Sequence, residues 1–150
     1  MVLWRISNHE SLTGDGALRT SGRWHTRGRR IVYLATTPAA ALLEILVHAE
    51  LNIRDLPARY RLLKIDAPDD VVKESVKMDA LGGADWIESR DATRAAGDEW
   101  LGRRTSALLV VPSAVVPETD NVLFNPAHAD AKRVAVVRIS DHVVDPRLLR

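Results

Sequence analysis

The sequence predicts an α+β domain of mixed strands, and three observations carry that prediction. Short apolar runs rich in β-branched residues recur along the chain, and two longer segments have the composition and length of helices. The order of the two types lacks the regular strand-helix-strand alternation of a doubly wound sheet. No Gly-x-Gly-x-x-Gly fingerprint and no Walker-type phosphate loop is present, so a bound nucleotide would be held by side chains and loop amides. With 150 residues and no internal repeat, the chain is expected to form one domain over residues 1–150, long enough for a hydrophobic core.

Each element has its own local reason. Residues 2–7 read as a first strand, and residues 11–30, rich in Gly, Ser, Thr and Arg, read as an ordered loop. Residues 31–35 form a short apolar strand. Thr37 followed by Pro38 opens a helix, because proline suits the first helical position, and the helix is expected to run to about Glu50. Leu42, Ile45, Leu46 and Ala49 share one face of it, while Ala40, Leu43 and Val47 surround Glu44 on the other. A helix apolar nearly all round is expected to be buried on more than one side, which sets Glu44 in apolar surroundings. Residues 59–66 and 71–76 are further strands, 90–104 a second helix, and 106–111 a strand halted at Pro112. Residues 121–124 and 133–139 supply the last two strands.

Composition narrows the function. Hydrophobic residues at 46% and charged residues at 27% argue against wholesale disorder. The absence of cysteine excludes a disulfide framework, a thiolate nucleophile and a cysteine-ligated zinc site. His9, His25, His48, His128 and His142 are scattered without a metal-ligand motif, so no catalytic metal is expected. His128 is expected to steady its loop or line a cleft. No segment approaches a bilayer-spanning length, which points to a cytoplasmic protein without a membrane partner. The net charge of +1 hides a division: residues 1–35 hold six arginines against Glu10 and Asp15, whereas residues 66–99 hold ten Asp or Glu against four basic residues. A phosphate-bearing ligand would favour the first third.

Five residues stand out as chemistry. Arg5 lies among Leu3, Trp4 and Ile6, facing either a polar cleft or a sheet edge. Arg23, between Gly22 and Trp24, is expected to sit in a tight turn with the Trp24 indole covering its guanidinium, the alternative being a solvated loop arginine. Tyr33 either stacks on a flat heterocycle or is a core tyrosine with its hydroxyl at an edge. Glu44 either steadies a developing sugar cation or pairs with His48 at the surface. Ser113, after Val110, Val111 and Pro112, either orients a ligand or carboxylate or caps a turn.

In that order the residues resemble the RES-domain family, toxins of RES and Xre type II toxin-antitoxin pairs. The namesake Arg, Glu and Ser match Arg23 in SGRWH, Glu44 in AALLE and Ser113 in VVPSAVV. Arg5 and Tyr33 fall at further family positions, and the likeness extends through Gly97-Asp98-Glu99-Trp100-Leu101 and Asn125-Pro126-Ala127-His128. The resemblance implies a fold similar to ADP-ribosyltransferases, a cleft that takes NAD as substrate, and NAD destruction with no cofactor required. It implies an Xre-like helix-turn-helix antitoxin that blocks the cleft, and a homodimer within a larger complex. In this scheme Arg5 and Arg23 hold the pyrophosphate, Tyr33 stacks on nicotinamide, Glu44 stabilises the ribosyl cation and Ser113 helps position that end. Two departures stand out: His25 where many relatives carry asparagine, and Ile6 where they carry tyrosine.

Water, phosphate and a protein side chain remain open as acceptors, giving a glycohydrolase, a phosphorylase or a protein ADP-ribosyltransferase. Two other classes compete. One is a metal-independent ribonuclease using His25, Glu44 and arginines, disfavoured by the near-neutral charge and the lack of a nucleic-acid motif. The other is a noncatalytic module whose arginines dock an acidic partner.

Overall fold

The computed structural model describes residues 1–48 and 58–149. Within them lie one seven-stranded sheet and two helices: β1 (Val2–Ile6), β2 (Val32–Ala35), α1 (Pro38–His48), β3 (Arg59–Asp66), β4 (Lys73–Ser75), α2 (Arg90–Arg103), β5 (Leu108–Pro112), β6 (Asp120–Phe124) and β7 (Ala135–Val143). The strand order is β4-β5-β6-β2-β1-β3-β7. The β4–β5 pair is parallel and every other pair antiparallel, the mixed α+β architecture expected of this element order.

Strand alternation divides the apolar side chains between the two faces. Leu3, Leu34, Leu63, Val122 and Phe124 build one core on the first face. On the second face Leu109, Val111 and Leu123 meet Trp24, Trp86, Trp100 and Leu101, brought by the loop before β2, the turns before α2 and α2 itself. A seam runs through the middle of the sheet, because β1 and β2 share only the pair Trp4 and Ala35, whereas β1 and β3 share five pairs and β2 and β6 four.

Several expectations are corrected. Ala41 is the one buried residue of α1 among those described; Leu42 to Leu46 are half-buried and Val47 is exposed. The helix packs on β1 and β2, and its all-round apolar character leaves most of its described residues half-buried rather than buried. The stretch expected to carry it to residue 50 lies outside the described residues. The fifth strand starts at Leu108, later than expected, and ends at Pro112 as expected; Pro112 itself pairs with Asp120 on β6, and on the other flank β4 reaches only to Val110, so no neighbour needs the missing N–H. The last strand begins later and runs longer than expected, because residues 129–133 form a 3-10 turn capped by the His128 ring, whose Nδ1 accepts the Asp130 N–H at 3.0 Å.

The irregular segment between β1 and β2 is ordered by α2. Thr93 Oγ1 donates to the Arg23 carbonyl at 2.8 Å, Arg94 Nε donates to the Gly22 carbonyl at 2.9 Å, and Asp98 accepts from Thr26 Oγ1 at 2.6 Å. The approach is so close that a Cβ at Gly97 would overlap the Trp24 carbonyl.

Candidate active site

Glu44 is half-buried on α1, where it lines a cleft of about 250 Å³ with Thr37, Leu43, Ser113 and Thr119. Its Oε1 accepts two hydrogen bonds, from Ser113 Oγ at 2.7 Å and from Asn121 Nδ2 at 2.7 Å. Ser113 is committed to that donation. Its oxygen also accepts the N–H groups of Val115 and Val116, both at 3.1 Å, so the hydroxyl proton is left for the carboxylate. Turn-capping and orienting a carboxylate, posed as alternatives by the sequence, are therefore one arrangement. No Glu44–His48 bond forms among the described residues.

The Arg23 guanidinium lies within reach of the Glu44 charge. Its Nη1 donates to the Ile87 carbonyl at 2.8 Å, and the guanidinium stands over the Trp86 ring at 5.9 Å from the centroid. The indole that covers it is therefore Trp86 and not Trp24, which instead packs beneath, its ring 6.1 Å from that of Trp86. Burial, reinforced by nearby Arg90, draws the Arg23 pKa below the usual arginine value, with Glu44, Glu88 and Tyr33 opposing.

Tyr33 is anchored at its hydroxyl and open at its ring. The oxygen accepts the Trp24 N–H at 3.1 Å and lies 2.8 Å from His25 Nδ1. His25 Nε2 faces the carbonyls of Ala17 and Thr20 at 3.2 and 3.0 Å, which assigns a proton to Nε2 and makes Nδ1 the acceptor of the phenol. Burial of the hydroxyl pushes the Tyr33 pKa well above the usual tyrosine value. The residue as a whole remains 37% exposed. Gly22 is required here, since a Cβ would strike both the Tyr33 hydroxyl and the His25 ring.

Arg5 stands apart from this group. Alternation along β1 places it on the Leu3 face, paired with Leu63, and its Nη1 donates to the Ser11 carbonyl at 3.1 Å. No hydrogen bond joins it to Glu44, Ser113, Arg23 or Tyr33 among the described residues. Burial lowers its pKa, and neither Arg5 nor Arg23 has a carboxylate within salt-bridge distance among the described residues. Half-buried guanidinium groups without a partner carboxylate are suited to an incoming anion.

Sequence reasoning missed Asn121 and Trp86. The signal for Asn121 was available: it falls two residues before Leu123, hence on the same strand face as a core leucine, where an amide needs a partner. Trp86 gave no such signal, because its role depends on irregular turns folding back over the loop before β2. Among the described residues no three His, Asp or Glu side chains gather to hold a metal ion, and no helix is long and apolar enough to cross a membrane.

A profile of the RES domain matches residues 2–146. The chain belongs to the RES-domain family. It is 45% identical over 148 residues to a protein of Pseudomonas putida named Toxin Res, covering 99% of each chain. It is 38% identical over 157 residues to the Prs ADP-ribosylating toxin of a Sphingobium species, covering 98% of this chain and 96% of that one. The RES domain also superposes on a chain from the crystal structure of the M. tuberculosis MbcT-MbcA toxin-antitoxin complex, with a TM-score of 0.77 at 22% identity, covering 99% of this chain and 86% of the other. At that identity the likeness speaks for the fold.

Proposed function

We propose that this RES domain is the toxin of a toxin-antitoxin pair and cleaves the nicotinamide-ribose bond of NAD. The observation that carries the reading is the Glu44 carboxylate, pinned through one oxygen by Ser113 and Asn121 at the wall of a cleft, with half-buried Arg23 in electrostatic reach. The relatives named Toxin Res support the toxin assignment. The fold is read as a variant of the ADP-ribosyltransferase architecture, with the cleft beside the seam of the sheet.

In this reading Arg23 holds the pyrophosphate by charge-assisted bonds, and Arg5, on the opposite strand face, is left outside that contact. The exposed ring of Tyr33 stacks on nicotinamide while His25 keeps the phenol fixed. As the C1′–N bond breaks, its electron pair moves to the pyridinium nitrogen and nicotinamide leaves neutral, so no general acid is needed. Positive charge appears on the ribose, and the fixed carboxylate of Glu44 stabilises it because its dipolar surroundings are already arranged. An acceptor oxygen then bonds to C1′ and releases its proton. Water or phosphate is the favoured acceptor. A protein acceptor is the second reading, favoured by the Sphingobium relative named an ADP-ribosylating toxin.

An Xre-like helix-turn-helix antitoxin covering the cleft, a homodimer within the larger complex and a cytoplasmic setting complete the proposal. Incubation of purified protein with NAD, with and without phosphate and a cell extract, tests it by mass spectrometry. Nicotinamide is released, accompanied by ADP-ribose, its phosphorylated form or a protein mass increase according to the acceptor. NAD left intact under all three conditions contradicts the reading and favours the noncatalytic module.

A further inference from the structure

Asn121 is the second donor to Glu44, and neither the motif residues nor the family resemblance gives it a role. It sits on β6 opposite Ala35 of β2 and Val111 of β5, on the strand face that also carries buried Leu123. Its Nδ2 reaches the same carboxylate oxygen that Ser113 holds, at the same 2.7 Å. The other end of the amide is left over: Oδ1 is buried and has no hydrogen-bond partner among the described residues.

That imbalance is informative. An asparagine retained in a strand for the sake of the fold satisfies both ends, because a buried acceptor without a donor lowers stability. Among the described residues Asn121 uses only the end that grips Glu44. We propose that Asn121 is a positioning residue which, together with Ser113, fixes Oε1 and thereby presents Oε2 to the cleft; the inference rests on the reading of Glu44 as the cation-stabilising carboxylate. Two donors on one oxygen define the plane of the carboxylate, whereas Ser113 alone would leave it free to turn about that bond. Of the charged groups around Glu44, Arg23 faces it from the loop before β2 and His48 follows one turn later on α1, while Ser113, Thr119 and Asn121 on the β5–β6 side are neutral.

Two substitutions separate positioning from structure. Asn121→Leu keeps the approximate shape and removes both polar ends, and Asn121→Asp puts a second carboxyl group against Oε1. Nicotinamide release from NAD, thermal midpoint, and the Glu44 carboxyl titration followed by carbon-detected NMR are measured for each variant and for wild type. For Asn121→Leu the expected result is a midpoint equal to or above wild type, kcat lowered at least tenfold with KM within twofold, and Glu44 titrating at higher pH. Asn121→Asp shifts the acid limb of the kcat profile to higher pH, because two adjacent carboxyl groups share a proton. A midpoint lowered by several degrees with kcat preserved would overturn the proposal by showing a structural asparagine. Failure of the wild type to release nicotinamide would defeat the proposed reaction alone; an unchanged Glu44 titration in Asn121→Leu would defeat this inference whatever the reaction is.

Discussion

Two of the site residues do two jobs with one side chain. Ser113 takes two backbone N–H groups and gives its proton to Glu44. Ser113→Ala is therefore expected to lower both stability, by about 1–3 kcal/mol, and nicotinamide release, since it orphans donors and frees the carboxylate. Denaturant melts run alongside kinetics check this, and a loss of only one property would break the link. Tyr33 behaves similarly, with an anchored hydroxyl and an open ring. Tyr33→Phe should keep KM for NAD within a few fold while losing about 1–2 kcal/mol of stability, whereas Tyr33→Ala should raise KM sharply; equal KM values would remove the stacking role. The residue types of this site were legible in the sequence because chemistry restricts them. Their partners were not: the Trp86 cover over Arg23 and the Asn121 bond to Glu44 join residues more than sixty positions apart, and no local pattern reports such contacts.

At the scale of elements, α2 acts as the splint for the loop that carries Arg23. Thr93 and Arg94 hold its carbonyls, Asp98 holds Thr26, and Gly97 lets the backbones touch. Gly97→Ala forces them apart and is expected to cost about 1–3 kcal/mol, with activity falling further than the folded fraction because Arg23 is displaced. Calorimetry with kinetics on the folded fraction tests this, and unchanged activity per folded molecule would show that the loop is placed by something else. Strand and helix types were readable from apolar periodicity over most of the chain. The errors arose where tertiary context outranked local signals. The last strand starts only at Ala135 because residues 129–133 turn about the His128 ring, and α1 is apolar around its circumference yet buries only Ala41 among its described residues.

For the whole molecule, the sheet is two blocks joined at Trp4 and Ala35, with Glu44, Ser113, Asn121 and Tyr33 on the β2–β6–β5 side of that joint. The surface carries the pH dependence. Hydrogen bonding from Thr13, the N-terminal ammonium, Arg133, Thr105 and Arg147 draws Asp15, Asp69, Asp70, Glu74 and Asp145, respectively, below the ordinary carboxylate range. The folded state binds these protons less readily than the unfolded chain, so their stabilisation is present above about pH 4 and is lost as pH falls through the lower folded values. Urea midpoints measured from pH 6 to pH 2 should decline on the acid side, less steeply in high salt because these groups are exposed. A flat profile would show that the pairs contribute nothing.

The chemistry itself depends on where one oxygen lies. Glu44→Gln keeps the side-chain shape while removing the charge, and should slow cleavage about a hundredfold, corresponding to about 3 kcal/mol, enough to trap the intact dinucleotide. A crystal structure of that variant with NAD tests the account most directly. It predicts the residue 44 amide within about 3.5 Å of the nicotinamide-bearing ribose, with the Arg23 guanidinium on the pyrophosphate. A dinucleotide bound with its nicotinamide end remote from residue 44 would contradict it.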